Sequence, residues 1–179
     1  QKVTSTGSIP RLRKRIAENM ILSKQTSAHV MTSVEVDYEN ISVLRNKIKG
    51  EFKQKEGFSL TFLPFISVAT INALREFPVV NSSFDLENNT HDLHDFINLG
   101  IAVDLNREGL LVGTIKDSDS FNLRGLARKI TEVSSILRNK EYGLEDVTGS
   151  TFTISNNGSF NSFITVSYTH LRAHETVHH

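Results

Sequence analysis

Apolar residues recur along this chain with two different periods. Leu12, Ile16 and Met20 stand four apart, and Pro10 just ahead of them suits the first turn of a helix. That helix should fade near Gln25-Thr26-Ser27. Over residues 29–37 the period becomes two. Val30, Thr32, Val34 and Val36 alternate with Met31, Ser33 and Glu35, which predicts a strand. A second helix is predicted over 40–55, with Ile41, Leu44, Ile48 and Phe52 inward and Gly57 as its stop. A third, strongly apolar helix covers 61–77 and is bounded by Phe77-Pro78. A strand over 79–84 leads into a hairpin around Glu87-Asn88-Asn89. Strands over 96–105 and 110–115 are joined by the short loop Asn106-Arg107-Glu108-Gly109. Residues 123–139 place Leu126, Ile130, Val133 and Leu137 on one helical face, and 151–155 form the last strand.

Helices and strands thus mix without strict alternation, and two strands share a hairpin-length loop. That order predicts an α/β (α+β) fold, a mixed sheet with packed helices rather than a doubly wound parallel sheet. Residues 1–9 are polar and read as the end of a linker.

A length of 179 residues suits one domain with a real core. Hydrophobic content of 38% with interspersed charge is that of a soluble globular chain. No apolar run approaches the roughly 20 residues that span a bilayer, so no membrane partner is expected. Net charge is zero, and the one basic cluster, Arg11, Arg13, Lys14 and Arg15, reads as a solvated helix face. This argues against a nucleic-acid partner, which needs a basic excess or stripe. With no cysteine there is no disulfide, thiolate metal site or cysteine nucleophile, and the composition fits a reducing compartment. His91 and His94 with Asp92 and Asp95 have ligand-type side chains, but no further ligand converges nearby in sequence. They read as a polar hairpin, His29 reads as structural, and no metal is assigned.

The most informative stretch is Gly149-Ser150-Thr151-Phe152-Thr153-Ile154-Ser155-Asn156-Asn157-Gly158. A short apolar strand here ends in a hydroxyl, two amides and a glycine, placing hydrogen-bond donors on a tight turn where a reacting oxygen could be held. The same composition also suits an ordinary turn. Ahead of it, in order, stand Gly100-Ile101-Ala102-Val103-Asp104, Gly109-Leu110-Leu111-Val112, Ile115-Lys116-Asp117 and Glu145-Asp146-Val147-Thr148-Gly149. Together these segments resemble the C-terminal acyltransferase domain of the 2-oxoacid dehydrogenase complexes, the dihydrolipoamide acyltransferase family. The resemblance runs from about Arg11 to about Thr165.

The resemblance implies a chloramphenicol-acetyltransferase-like fold, here C-terminally incomplete, with residues 10–165 as the N-terminal and middle part of the catalytic domain. It implies acyl transfer between dihydrolipoamide and coenzyme A, with the lipoyl group on an upstream domain. Homotrimers building cubic or dodecahedral cores are implied, as are decarboxylase and dihydrolipoamide dehydrogenase subunits as partners. The expected location is the bacterial cytoplasm or the mitochondrial matrix. Ser155 takes the family position of the hydroxyl that stabilises the oxyanion. Family contacts to coenzyme A fall on Arg45, Thr61, Asp104, Ser155 and Asn156. Thr61 also suits a helix N-cap, Arg45 an exposed helix charge and Asp104 a turn aspartate. A further contact would fall near Ser134, where the match is poor, and that residue is set aside.

Three departures are visible. The family's Gly-Leu-Leu-Val-Pro reads Gly109-Leu110-Leu111-Val112-Gly113, its Pro-His before the first strand is Ala28-His29, and its Gly-Gly before the last strand is Gly149-Ser150. The family's catalytic histidine sits in a His-Arg-x-x-Asp-Gly motif, which this chain does not contain. Ser167-Tyr168-Thr169-His170 resembles the family's Ser-Tyr-Asp-His but follows Ser155 too soon. Residues 166–179, with four of the seven histidines in the last ten positions, resemble an in-frame translation of a transposase-type sequencing adapter. They are read as a non-native tail and excluded from the fold. Two other readings are a trimer-forming scaffold module without catalysis and an antibiotic-acetylating relative. The Gly-Ile-Ala-Val-Asp and Gly-Leu-Leu-Val pair places the chain closer to the dehydrogenase-complex family than to the latter.

Overall fold

The computed structural model of the protein describes residues 7–106 and 108–158. The expected tail, 166–179, and residues 1–6 of the expected linker lie outside them. The described residues divide into two compact units, one holding 7–35 and one spanning Val36–Asn156.

In the first unit, helix α1 (Arg11–Thr26) starts immediately after Pro10, whose carbonyl accepts the Lys14 N–H at 3.0 Å. Leu12, Ile16 and Met20 are half-buried, while Arg11, Arg13, Lys14 and Arg15 are exposed. The strand predicted over 29–37 does not form. No described segment pairs with it, and Val30, Val34 and Val36 are exposed. Alternation shows only that one face could be covered; a strand exists through hydrogen bonds to a neighbouring edge.

The second unit opens with helix α2 (Glu39–Glu56), whose first N–H is accepted by the Asp37 carboxylate at 2.8 Å. It ends at Gly57, which takes a left-handed φ of 81°. The inward stripe is Ile41, Arg45, Ile48, Phe52 and Glu56. Leu44, predicted inward, lies on the flank and is 49% exposed. Helix α3 (Leu63–Glu76) carries Pro64 in its first turn and begins two residues later than predicted. Phe62 holds its N-cap position and no side chain caps it, so Thr61 is not the N-cap. The predicted strand over 79–84 divides into a 3-10 turn (Pro78–Val80) and strand β1 (Ser82–Asp85). Asn81 is the reason: its buried amide donates to the carbonyls of His94 (3.3 Å) and Phe96 (2.9 Å), pinning the chain where the turn ends. Strand β1 then pairs antiparallel with β2 (Thr90–Leu93) in a two-stranded ribbon.

The core sheet has the order β4-β3-β5. Strands β3 (Leu99–Asp104) and β4 (Leu110–Ile115) are antiparallel, with Leu99 opposite Ile115. Strand β5 (Phe152–Ile154) lies parallel to β3 on its other side. The sheet is therefore mixed, as predicted. Helix α4 (Leu123–Asn139) has the predicted bounds, and its N-terminus is capped by the Asn122 side chain, which accepts the Gly125 N–H at 2.9 Å. It packs with α3 and against β3 and β4. Leu126 and Leu137 are fully buried, each worth about 1.5–3 kcal/mol of burial.

Two departures from the family pattern have structural accounts. A Cβ at Gly113 would stand 2.2 Å from Val133 Cγ1 and 2.9 Å from Leu137 Cδ1, so α4 seats directly on the bare backbone of β4. Before β5, Gly149 takes a φ of +78°, a conformation that favours glycine. Ser150 is not among the residues with positive φ, so the second family glycine is dispensable there. Among the described residues, no helix is long and apolar enough to cross a membrane.

Candidate active site

Two neighbouring strands bring the candidate chemistry to one end of the sheet. Strands β3 and β5 run in the same direction, with Ile101 opposite Ile154. Ser155 follows the last paired residue of β5, and Asp104 ends β3 three residues beyond Ile101. At about 3.3 Å per residue, the two positions differ by roughly 7 Å along the strand direction. Ser155 is exposed.

A strand of three residues needs outside support, and Asn98 supplies it. Its carbonyl accepts the Thr151 N–H at 2.8 Å, and its own N–H reaches Thr151 Oγ1 at 3.2 Å. Its side-chain amide donates to the Gly149 carbonyl at 2.9 Å, while its Oδ1 accepts the Asp117 N–H at 2.9 Å. One residue thereby sets where β5 begins, and hence where Ser155 emerges.

Beside this strand end lies a cleft of about 410 Å³, within the usual range of ligand pockets. One wall is the segment bearing Ser59 and Thr61 with the start of α3; the other is α4; Asn156 also lines it. Thr61 and Asn156, distant in sequence, thus share one cavity. Ser134, set aside on sequence grounds, lines it with them. Ser155 and Asp104 are not among its lining residues.

Arg45 is not a cleft residue either. Its Nε donates to the Leu60 carbonyl at 2.7 Å and its guanidinium lies 4.7 Å from the centre of the Phe62 ring. Phe62 in turn meets Tyr38 edge-on at 5.8 Å. Arg45 therefore grips both residues that flank Thr61. It is half-buried on the inner face of α2, not the exposed helix charge that was its alternative reading.

The same wall is fixed at its other end by Glu56. Only 4% of this side chain is exposed, and its carboxylate accepts two hydrogen bonds from Arg128 while Arg124 Nε stands 3.5 Å away. The hydrogen bond from Arg128 holds the Glu56 carboxyl below its ordinary value, overcoming the opposing effect of burial. A depressed carboxyl pKa contributes stability that is complete above the unfolded value and is lost as pH falls through the folded one. Glu56→Gln should therefore flatten the acid limb of stability. Urea midpoints measured from pH 6 down to pH 3 should fall less steeply in the variant than in the wild type, and equal slopes would remove Glu56 from the account.

The described histidines lie elsewhere. His91 Nε2 meets Ser82 Oγ at 2.9 Å and His94 Nε2 meets Ser83 Oγ at 3.2 Å, both on the exposed ribbon. His29 Nε2 stands 3.4 Å from Ser23 Oγ. Among the described residues, no group of three or more metal-ligating side chains converges. His170 lies outside them.

Sequence reading missed the polar face of α4. Thr131, Ser134, Ser135 and Arg138 fall at i, i+3, i+4 and i+7, a complete helical stripe facing the cleft. The signal was present but hidden behind the stronger apolar face of the same helix.

This architecture has close parallels. A probable dihydrolipoamide acetyltransferase of Listeria monocytogenes superposes with a TM-score of 0.85 at 36% identity, over 90% of this chain and 68% of that one. The dihydrolipoamide acetyltransferase of Azotobacter vinelandii, studied for the catalytic roles of a serine, a histidine and an asparagine, gives 0.80 at 30% identity, over 87% and 64%. The mixed sheet with its packed helices is thus the chloramphenicol-acetyltransferase type. The lipoamide acyltransferase component of the branched-chain alpha-keto acid dehydrogenase complex of Bacillus subtilis is 40% identical over 151 residues, 84% of this chain and 35% of that protein. The succinyltransferase component of the 2-oxoglutarate dehydrogenase complex of Cupriavidus necator is 38% identical over 154 residues, 86% of this chain and 36% of that protein. The chain spans about a third of the length of these two relatives. The model of the 2-oxoacid dehydrogenases acyltransferase catalytic domain matches residues 2–168. With the fold, the β5 strand end and this match in agreement, the chain belongs to the family of 2-oxoacid dehydrogenase acyltransferase catalytic domains.

Proposed function

We propose that the protein from which this chain derives moves an acyl group between dihydrolipoamide and coenzyme A, as the acyltransferase of a 2-oxoacid dehydrogenase complex. The observation that carries this reading is the cleft shared by Thr61, Ser134 and Asn156 beside the strand end that bears Ser155.

The coenzyme A thiol has an ordinary pKa near 8.5, so only a small part is thiolate at neutral pH. A general base that takes its proton contributes about 10²- to 10⁴-fold. The sulfur then bonds to the thioester carbonyl carbon of acyl-dihydrolipoamide, and the carbonyl electrons move onto oxygen. Ser155 is the donor assigned to that oxyanion. Collapse breaks the bond to the lipoyl sulfur, which leaves with the proton, giving acyl-coenzyme A and dihydrolipoamide. The base is assigned to the histidine of a His-Arg-x-x-Asp-Gly motif; none of the seven histidines here stands in one. In this reading 10–165 are native catalytic domain, 166–179 are not native, and Asp104 and Arg45 support coenzyme A binding from outside the cleft. Trimers and larger cores, an upstream lipoyl domain, decarboxylase and dihydrolipoamide dehydrogenase partners, and a bacterial cytoplasmic or mitochondrial matrix setting belong to the same proposal.

The test is acyl transfer from acyl-dihydrolipoamide to coenzyme A. The full-length protein, recovered from its gene, should turn over and the 179-residue chain should not. Turnover by the short chain would refute the assignment of the base. A full-length protein without the motif that assembles but does not transfer would favour the scaffold reading.

A further inference from the structure

The cleft holds a charge that the reading above does not use. Arg138 lines it, one turn along α4 from Ser134. The other two guanidiniums on that helix, Arg124 and Arg128, are both engaged by Glu56. Among the described residues no carboxylate pairs with Arg138. Its hydroxyl neighbours in the cleft are Ser134 and Ser135, one turn before it on α4, about 5–6 Å of helix, while the Thr131 hydroxyl is already taken by the Ala127 carbonyl at 2.9 Å. A lone cation among neutral hydroxyl donors, with no carboxylate to repel an anion, is the composition that recognises phosphate: the guanidinium offers a planar fork of donors and the hydroxyls add single ones. A mere complement to the negative C-terminal end of α4 would serve equally from any outward rotamer and would not need to line a cavity.

We propose that Arg138, with the hydroxyls of Ser134 and Ser135, forms a subsite for a phosphate group of the acyl acceptor. The proposal rests on coenzyme A being that acceptor. The phosphates of coenzyme A lie far from its thiol, so the subsite acts on binding and leaves the reacting atoms untouched. One interaction of this kind, at a partly exposed position, is worth roughly tenfold in affinity.

The test compares acceptors in the full-length protein. With coenzyme A, Arg138→Gln should raise KM about tenfold while the effect on kcat stays small, and Arg138→Lys should recover part of the loss. With pantetheine, which carries the thiol but no phosphate, the same variant should change KM less than twofold. With 3′-dephospho-coenzyme A the penalty should vanish if the subsite holds the 3′-phosphate and persist if it holds the diphosphate; both outcomes support it. An unchanged KM for coenzyme A, or equal increases for coenzyme A and pantetheine, would overturn it. If the wild-type protein transfers no acyl group, the function proposed above falls on its own. Calorimetric binding of coenzyme A and pantetheine to wild type and Arg138→Gln then decides the subsite, which stands only if coenzyme A alone is weakened.

Discussion

In the full-length protein, Ser155→Ala is expected to lower kcat for acyl transfer to coenzyme A by about 10²- to 10³-fold, or about 2.7–4 kcal/mol of transition-state stabilisation. The expectation follows from position as much as residue type. Ser155 leaves the sheet immediately after the last residue of β5 that pairs with β3, and the start of β5 is anchored by the hydrogen bonds of Asn98 to Gly149 and Thr151, with Asn98 itself held by the Asp117 N–H. A donor on a strand so anchored needs little reorganisation as charge develops on the carbonyl oxygen. The hydroxyl is itself exposed, so its loss leaves no cavity and should not change the melting temperature. KM for coenzyme A should stay within a few fold, because the interaction strengthens only in the transition state. Steady-state kinetics with both substrates varied, beside a thermal melt, separates these terms. A kcat within threefold of wild type would leave Ser155 as an ordinary strand-end serine.

Gly113→Ala is expected to destabilise the fold by about 1–3 kcal/mol, the usual cost of forcing a methyl into a packed interior. The family carries proline at this position, so conservative reasoning would expect a larger residue to be welcome. The packing says otherwise. The added Cβ would sit 2.2 Å from Val133 Cγ1, and a β-branched side chain on a helix has essentially one χ1 rotamer to occupy. Leu137 Cδ1, at 2.9 Å, is the flexible end of its side chain and can yield; Val133 cannot turn away without moving α4. The measurement is a double-mutant cycle in urea denaturation with Val133→Ala. Gly113→Ala should cost much less in the Val133→Ala background than in the wild type. Additive effects would mean that the close approach of α4 to β4 is not what excludes a side chain there.

Much of this was legible in the linear chain because local physics decides it. Helix α4 has the predicted bounds: its apolar period is unbroken, and Asn122 stands where a capping side chain is needed. The β3–β4 hairpin and the mixed character of the sheet followed from apolar runs joined by a short polar loop. Gly57 stopped α2 as predicted, because a left-handed residue at a helix end favours glycine whatever surrounds it. The family, too, was legible, since its motifs are short runs at strand ends whose order survives without knowledge of their contacts.

Tertiary structure decided the rest. Alternation over 29–37 did not make a strand, because pairing requires an edge that no local pattern can supply. Leu44 lost its place on the inner face of α2 to Arg45, whose aliphatic stem and planar head could both be used, the head on Leu60 and Phe62. Asn81 broke a predicted strand for the sake of two carbonyls on another segment. The cleft belongs to the same class of fact. Thr61, Ser134, Arg138 and Asn156 are ordinary polar residues in sequence and become a candidate site only where the loop before α3, the polar stripe of α4 and the end of β5 meet. Sequence determined the helices, the β3–β4 hairpin and the family they serve, through periodicity, caps and glycine. Which side chains face one another was settled by packing, because contacts between distant segments are chosen by shape and partner, and neither is written in a residue's immediate neighbours.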